Sequence, residues 1–170
     1  MPIMAASAEP PSRRSLLRMT VAHYKQPHVS DEEFHRWVTQ KHAVPAARLH
    51  AKNGIEGFNI VFTLKSFRDM TAKLNTLRES HGQRPWVIRQ HDAQVEFFFR
   101  DMETFFKGAA DPAFQALQAE EEPYISGIHA EVSIGWVETF VRDGQVINIS
   151  DANESAYPPF EEVGVAPSLE

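Results

Sequence analysis

The run Ser30-Asp31-Glu32-Glu33-Phe34-His35-Arg36-Trp37, followed by Lys41-His42-Ala43-Val44-Pro45, decides how this chain is read. Ser30 is a helix N-cap, and Glu33 stands where a capping box needs an acidic side chain. Val29 and Phe34 flank the cap at the spacing of a hydrophobic staple. Asp31, Glu32 and Glu33 put negative charge at the positive end of the helix. Phe34, Trp37, Val38 and Leu49 give it an apolar side. Pro45 lacks an amide hydrogen and is expected to kink the helix or break it in two. Asn53-Gly54 is the stop.

Upstream, the stretch from Leu16 to Lys25 alternates as a strand, with Met19, Val21 and His23 on one face and Thr20, Ala22 and Tyr24 on the other. Downstream, Phe58 to Leu64 reads as a second strand. Ser66 and Asp69 cap a second helix that ends near Glu79, with Met70, Leu74 and Leu77 expected inward. His91 to Arg100 is a third strand. Asp101 starts a short helix, Asp111-Pro112 starts another, and Pro123 ends it. Glu131 to Val141 is a fourth strand, and Asp143-Gly144 is a hairpin signal with Gln145 to Ile149 returning.

The order is therefore β-α-β-β-α-β, with the second helix as an excursion before the third strand. That is the ferredoxin-like unit of an α+β fold: a four-stranded antiparallel sheet with helices on one face. The bare sheet face needs a cover, and a second copy is the simplest one, giving a dimeric α+β barrel. We expect a flexible N-terminus over 1–14, one domain over 15–149 and a tail over 150–170.

Bulk composition narrows the function classes. The net charge of −6 argues against a nucleic-acid or anionic-membrane surface. The absence of cysteine removes disulfides, thiolate catalysis and zinc–thiolate sites. No stretch approaches the ~18 apolar residues of a membrane span, so the expected location is cytoplasmic. There is no phosphate-binding glycine loop, no G-x-S-x-G elbow and no H-E-x-x-H spacing, so none of these motifs points to a metal, nucleotide or serine-nucleophile site.

The capped helix carries a resemblance. Its pattern, preceded by Tyr24-Lys25-Gln26-Pro27, is similar to the signature of EthD-domain proteins, S-x-E-E-F-x-x-x-W-x-x-x-H-A, with Trp37 one residue early. The likeness extends more loosely to Asp92–Phe99 and to Gly135-Trp136-Val137-Glu138, and covers roughly residues 16–141. More narrowly the chain resembles fungal EthD-like decarboxylases and lyases of aromatic polyketide pathways. That implies cofactor-independent work on a polyphenolic carboxylic acid or a β-hydroxy ketone in a homodimer.

Candidate catalytic groups follow from residue type and face. Histidine moves protons near neutral pH, and eight in this length is rich. His42 leads because it belongs to the family pattern, with His50 across the proline. Asp92 and Glu96 share one face of the third strand and are expected to line a cavity and orient a histidine. His23 and Tyr24 point to opposite faces, so only one can be central. Trp37, Phe58, Phe62, Phe98 and Trp136 are candidates to stack on a flat substrate. Decarboxylation is the leading reading, with His42 protonating carbon. A dehydratase or aldol-type cyclase uses the same groups. A non-catalytic binder of a hydrophobic metabolite and an oxygen-dependent monooxygenase are the competing classes.

Overall fold

The computed structural model describes residues 16–166. The segment 1–14, expected to be flexible, lies outside the described residues. Strand β1 (Leu17–Lys25) is followed by helix α1 (Asp31–Trp37), a π-helical turn (Val38–His42) and helix α2 (Ala43–Lys52). Then come β2 (Gly57–Phe62), α3 (Lys65–Ser80), β3 (Ala93–Phe99), α4 (Met102–Ala109), α5 (Pro112–Gln118) and β4 (Ile125–Trp136). A small hairpin, β5 (Val141–Arg142) and β6 (Gln145–Val146), and a short helix α6 (Phe160–Val163) finish the described chain.

The main sheet has the order β2-β3-β1-β4, and each neighbouring pair is antiparallel. This is the ferredoxin-like arrangement expected from the sequence, with β3 slotted between β2 and β1. The register aligns Met19 with Phe97 and Ile134, and Val21 with Val95 and Val132. These apolar positions share one face, and the helices lie on that face. The polar alternates, Thr20, Gln94, Glu96 and Ser133, share the other.

The helix start behaves as its residues dictate. The Ser30 side chain accepts the Glu33 amide at 3.1 Å. Val29 and Phe34 are both buried and meet in one cluster with Trp37, Val38 and Ala93. A second cluster gathers Ile55, Phe97 and Phe99. Asp101 and Asp111 cap α4 and α5 through the amides of Thr104 and Ala113.

Pro45 does not break the helix. The turn before it relaxes to π geometry, in which the Ala43 amide bonds to Val38 five residues back. The helix runs on through Pro45 without a free end, and the π turn directly ahead of it is where the hydrogen-bond ladder loosens to admit a residue with no amide hydrogen. Two further expectations are corrected. Helix α3 begins at Lys65 with no side-chain cap, and Met70, Leu74 and Leu77 are exposed. Strand β4 begins at Ile125, six residues ahead of Glu131, directly after a turn over 122–124 closed by the Tyr124 and Ile125 amides on the Glu121 carbonyl. The tail beyond Ser150 returns toward the sheet, with the Phe160 ring tilted against Trp136 at 6.5 Å. Among the described residues no helix is long and apolar enough to cross a membrane.

Candidate active site

Between the two apolar clusters, under α1, α2, α4 and α5, lies a cavity of about 150 Å³. Its walls are mostly aliphatic and aromatic. The polar groups that reach it are His23, His42, His50, Gln118 and Glu121. Each arrives from a different part of the fold. His23 comes from the helix-facing side of β1, in line with Met19 and Val21. His42 ends the π turn. His50 sits on the last turn of α2, and Glu121 lies in the loop between α5 and β4.

The π turn sets the direction of His42. Five positions separate it from Trp37. In an α-helix at 100° per residue they would point about 140° apart. In a π turn, at roughly 80° per residue, the divergence falls to about 40°. The two rings accordingly meet at 5.2 Å. The other face of Trp37 is stacked on Tyr124 at 4.4 Å and 9°. The shortened F-x-x-W spacing of this sequence and the π turn therefore compensate one another.

Glu121 is the group that sequence reasoning missed. Its Oε1 lies 3.3 Å from His42 Nε2. Burial pushes the Glu121 carboxyl up to about 7, and burial pushes His42 down from the usual imidazole value. Both shifts favour a neutral pair carrying one proton. The other ring nitrogen of His42, Nδ1, is buried and has no hydrogen-bond partner among the described residues. No second bond locks the tautomer, so the proton is free to follow Glu121.

His50 is ringed by Phe58, Phe97 and Phe114 at 4.8, 5.0 and 4.8 Å. Burial, and then the neighbouring His42, lower His50 to about 4. The same two causes lower His23 to about 4. Both rings are neutral at physiological pH and present one donor and one acceptor each.

The remaining expected site residues lie elsewhere. Asp92 is buried behind the cavity, where its carboxylate accepts the Lys25 amide and the Arg68 guanidinium at 3.0 Å each. It ties β1, β3 and α3 together. Glu96 is on the opposite sheet face, paired with Arg18 and 3.4 Å from the Asn59 amide. The pleat puts both on the side away from His42, so the expectation that they line the cavity and orient that histidine is corrected; Glu121 contacts it instead. Tyr24 also faces away and donates to Glu131 at 3.0 Å. Phe62 packs on Phe34 and His35 outside the cavity. Phe98 projects to the opposite sheet face beside Gly57, and Trp136 lies at the far end of β4 in a separate groove. Of the aromatic candidates, Trp37 and Phe58 line the cavity.

The buried histidines make stability depend on pH. In the unfolded chain His23 and His50 take up protons as the pH falls past about 6.5, but in the folded chain only near 4. The unfolded state therefore binds more protons across that window, and stability falls as the pH drops through it. Glu121 acts in the opposite sense. Its folded carboxyl holds a proton up to about 7, against 4.5 unfolded, so its contribution falls as the pH rises between those values. Two histidines outweigh one carboxyl. The urea midpoint is expected to drop between pH 6.5 and pH 4.5, and the double variant His23→Gln/His50→Gln should lose that drop and leave the opposite slope of Glu121. An unchanged slope would mean that neither ring is held neutral by the fold.

The chain has clear relatives. The family model described as EthD domain matches residues 26–128. A protein of Aspergillus terreus, provisionally named an oxygenase, is 40% identical over 156 residues, spanning 91% of this chain and 95% of that one. The dehydratase aurZ of Gibberella zeae is 26% identical across 78% of this chain and 84% of its own. The decarboxylase nsrE of Aspergillus novofumigatus is 24% identical across 87% and 92%.

Proposed function

This chain belongs to the EthD domain family, and from that premise we propose that it is a proton-transferring lyase that removes water from a β-hydroxy ketone of the aromatic polyketide class. One observation carries the reading: a His42–Glu121 pair sharing one proton inside an apolar cavity. Loss of water needs a base for the α-hydrogen and an acid for the departing hydroxyl. His42 takes the proton from carbon. Glu121 gives its proton to the hydroxyl as the C–O bond breaks and water leaves. The proton on His42 then returns to Glu121 across their 3.3 Å contact, and the pair is restored. His23 and His50, neutral and fixed, donate hydrogen bonds to the carbonyl oxygen as enolate charge builds on it. The aromatic walls, Trp37 and Phe58 among them, suit a flat ring system. The dehydratase aurZ supports this choice by its name.

Decarboxylation is the second reading. An apolar wall disperses the charge of a carboxylate as carbon dioxide departs, and the relative nsrE is named a decarboxylase. Against it, no lysine or arginine among the described residues lines the cavity to receive a carboxylate. The protein is expected to work as a homodimer without added cofactor.

The test is to incubate the purified protein, free of added metal and cofactor and under argon, with β-hydroxy ketones and matched aromatic carboxylic acids. Loss of one water supports the proposal. Loss of carbon dioxide transfers the same residues to the second reading. Turnover that requires air and adds oxygen to the product overturns both and favours the oxygenase name of the Aspergillus terreus relative. Saturable binding with no turnover would make the chain a carrier.

A further inference from the structure

Trp37 lines the cavity, yet neither face of its indole is open to a substrate. Tyr124 stacks on one face at 4.4 Å and 9°. His42 lies against the other at 5.2 Å, tilted by 32°. Four residues in fact close into a round of contacts. His42 Nε2 meets Glu121 Oε1 at 3.3 Å, the Tyr124 amide donates to the Glu121 carbonyl at 2.9 Å, and Tyr124 returns to Trp37. One short turn therefore supplies both the carboxyl that His42 touches and the ring that backs the indole.

His42 has need of such a neighbour. The reaction proposed above makes it an imidazolium, in a cavity whose walls are mostly apolar and where burial disfavours that charge. Glu121 still holds its own proton at that moment and carries no charge to offset it. The other titratable groups around the ring contribute little. His23 on β1 and His50 on α2 are neutral. Glu120, whose charge favours protonated His42, is exposed and screened by solvent. A second N–H, at Nδ1, finds no acceptor among the described residues.

An indole face needs no hydrogen-bond geometry. Its negative quadrupole attracts the charge of the whole imidazolium ring, more strongly out of water than in it. Among aromatic side chains tryptophan is the best in this role. We propose that Trp37, backed by Tyr124, is a positioning residue that acts through His42: its face fixes the imidazole against Glu121 and stabilises the imidazolium during proton transfer. That the charge arises in turnover rests on the function proposed above; the stabilising contact itself does not.

The contact has a sign that packing alone lacks. Trp37→Leu keeps apolar bulk and removes the π face. His42 in this variant is expected to titrate at a lower pH than in the native chain, read from its ring resonances by NMR without substrate, with His42→Ala identifying the signal. An indole that served only as filler would leave room for water when replaced by the smaller leucine, relieve the burial of His42 and move its titration up. Trp37→Phe, which keeps a weaker face, is expected between the native chain and Trp37→Leu. With substrate, Trp37→Leu should lower kcat by roughly 2- to 30-fold with KM little changed, and Trp37→Phe should recover part of the loss.

His42 titrating at or above its native position in Trp37→Leu overturns the inference, as does an unchanged kcat. Should that variant fail to fold, Trp37→Phe carries the same comparison, and a titration at or above the native one overturns it there. A lowered titration without water loss from any β-hydroxy ketone discards the reaction and keeps the contact. Water loss by the native chain, with an unmoved titration in the variants, discards the contact and keeps the reaction.

Discussion

Glu121→Gln is expected to lower kcat by roughly 10²–10⁴-fold with little change in KM. Glutamine keeps the shape and the contact with His42 but has no proton to give. His42→Ala should cost a similar factor. Because the two side chains act as one proton-sharing unit, Glu121→Gln/His42→Ala should fall little further than either single variant. Glu122→Gln, next in sequence and exposed, is the control and should keep its activity. The native profile has a direction as well. Glu121 must be protonated to act as the acid, so kcat declines as the pH rises through about 7. Retained turnover in Glu121→Gln, with circular dichroism showing an intact fold, would remove the pair from the mechanism.

Phe34→Ala is expected to destabilise the fold by about 3–5 kcal/mol, the usual cost of deleting a buried aromatic ring. Phe34 is 1% exposed. It is half of the staple with Val29, it meets Phe62 edge-on at 6.4 Å, and it walls the cavity. A deletion there opens onto space that already exists, so the surroundings cannot close over it. Phe34→Leu should recover most of the loss. Urea unfolding measures both, and a cost below about 1.5 kcal/mol for the alanine variant would mean that the helix start is held by its cap rather than by this ring.

The elements were legible where local chemistry is strong. Ser30, Asp101 and Asp111 announced their helices, and the alternation of Met19 and Val21 pointed β1 the right way. That same alternation could have chosen His23 over Tyr24, since the apolar partners on its face mark the covered side. Asp92 and Glu96 misled because an alternating polar row looks the same whether it faces a cavity or the opposite side of the sheet. Only the register against β1 and β2 decides. Glu121 was invisible for a different reason. It is the middle of Glu120-Glu121-Glu122, and such a run reads as a solvated charge cluster. Tyr124 and Ile125, which pack against the first core cluster, are what draw it inward. The inward orientation expected for α3 failed because amphipathic spacing fixes which face is apolar, not whether the rest of the fold lies against it.

The π turn makes the length of one segment matter more than its composition. Thr39, Gln40 and Lys41 lie at or near the surface, and substitutions there have little to disturb. Removing any one of them is another matter. The helix would close into regular α geometry, and everything after it would turn by about 100° and shift by about 1.5 Å. His42 would leave the cavity while Phe34 and Trp37 stayed in place, and Pro45 would slide into a position that demands an amide hydrogen. A gene lineage can therefore drift freely in the letters of this segment, but a single lost codon would disarm the protein.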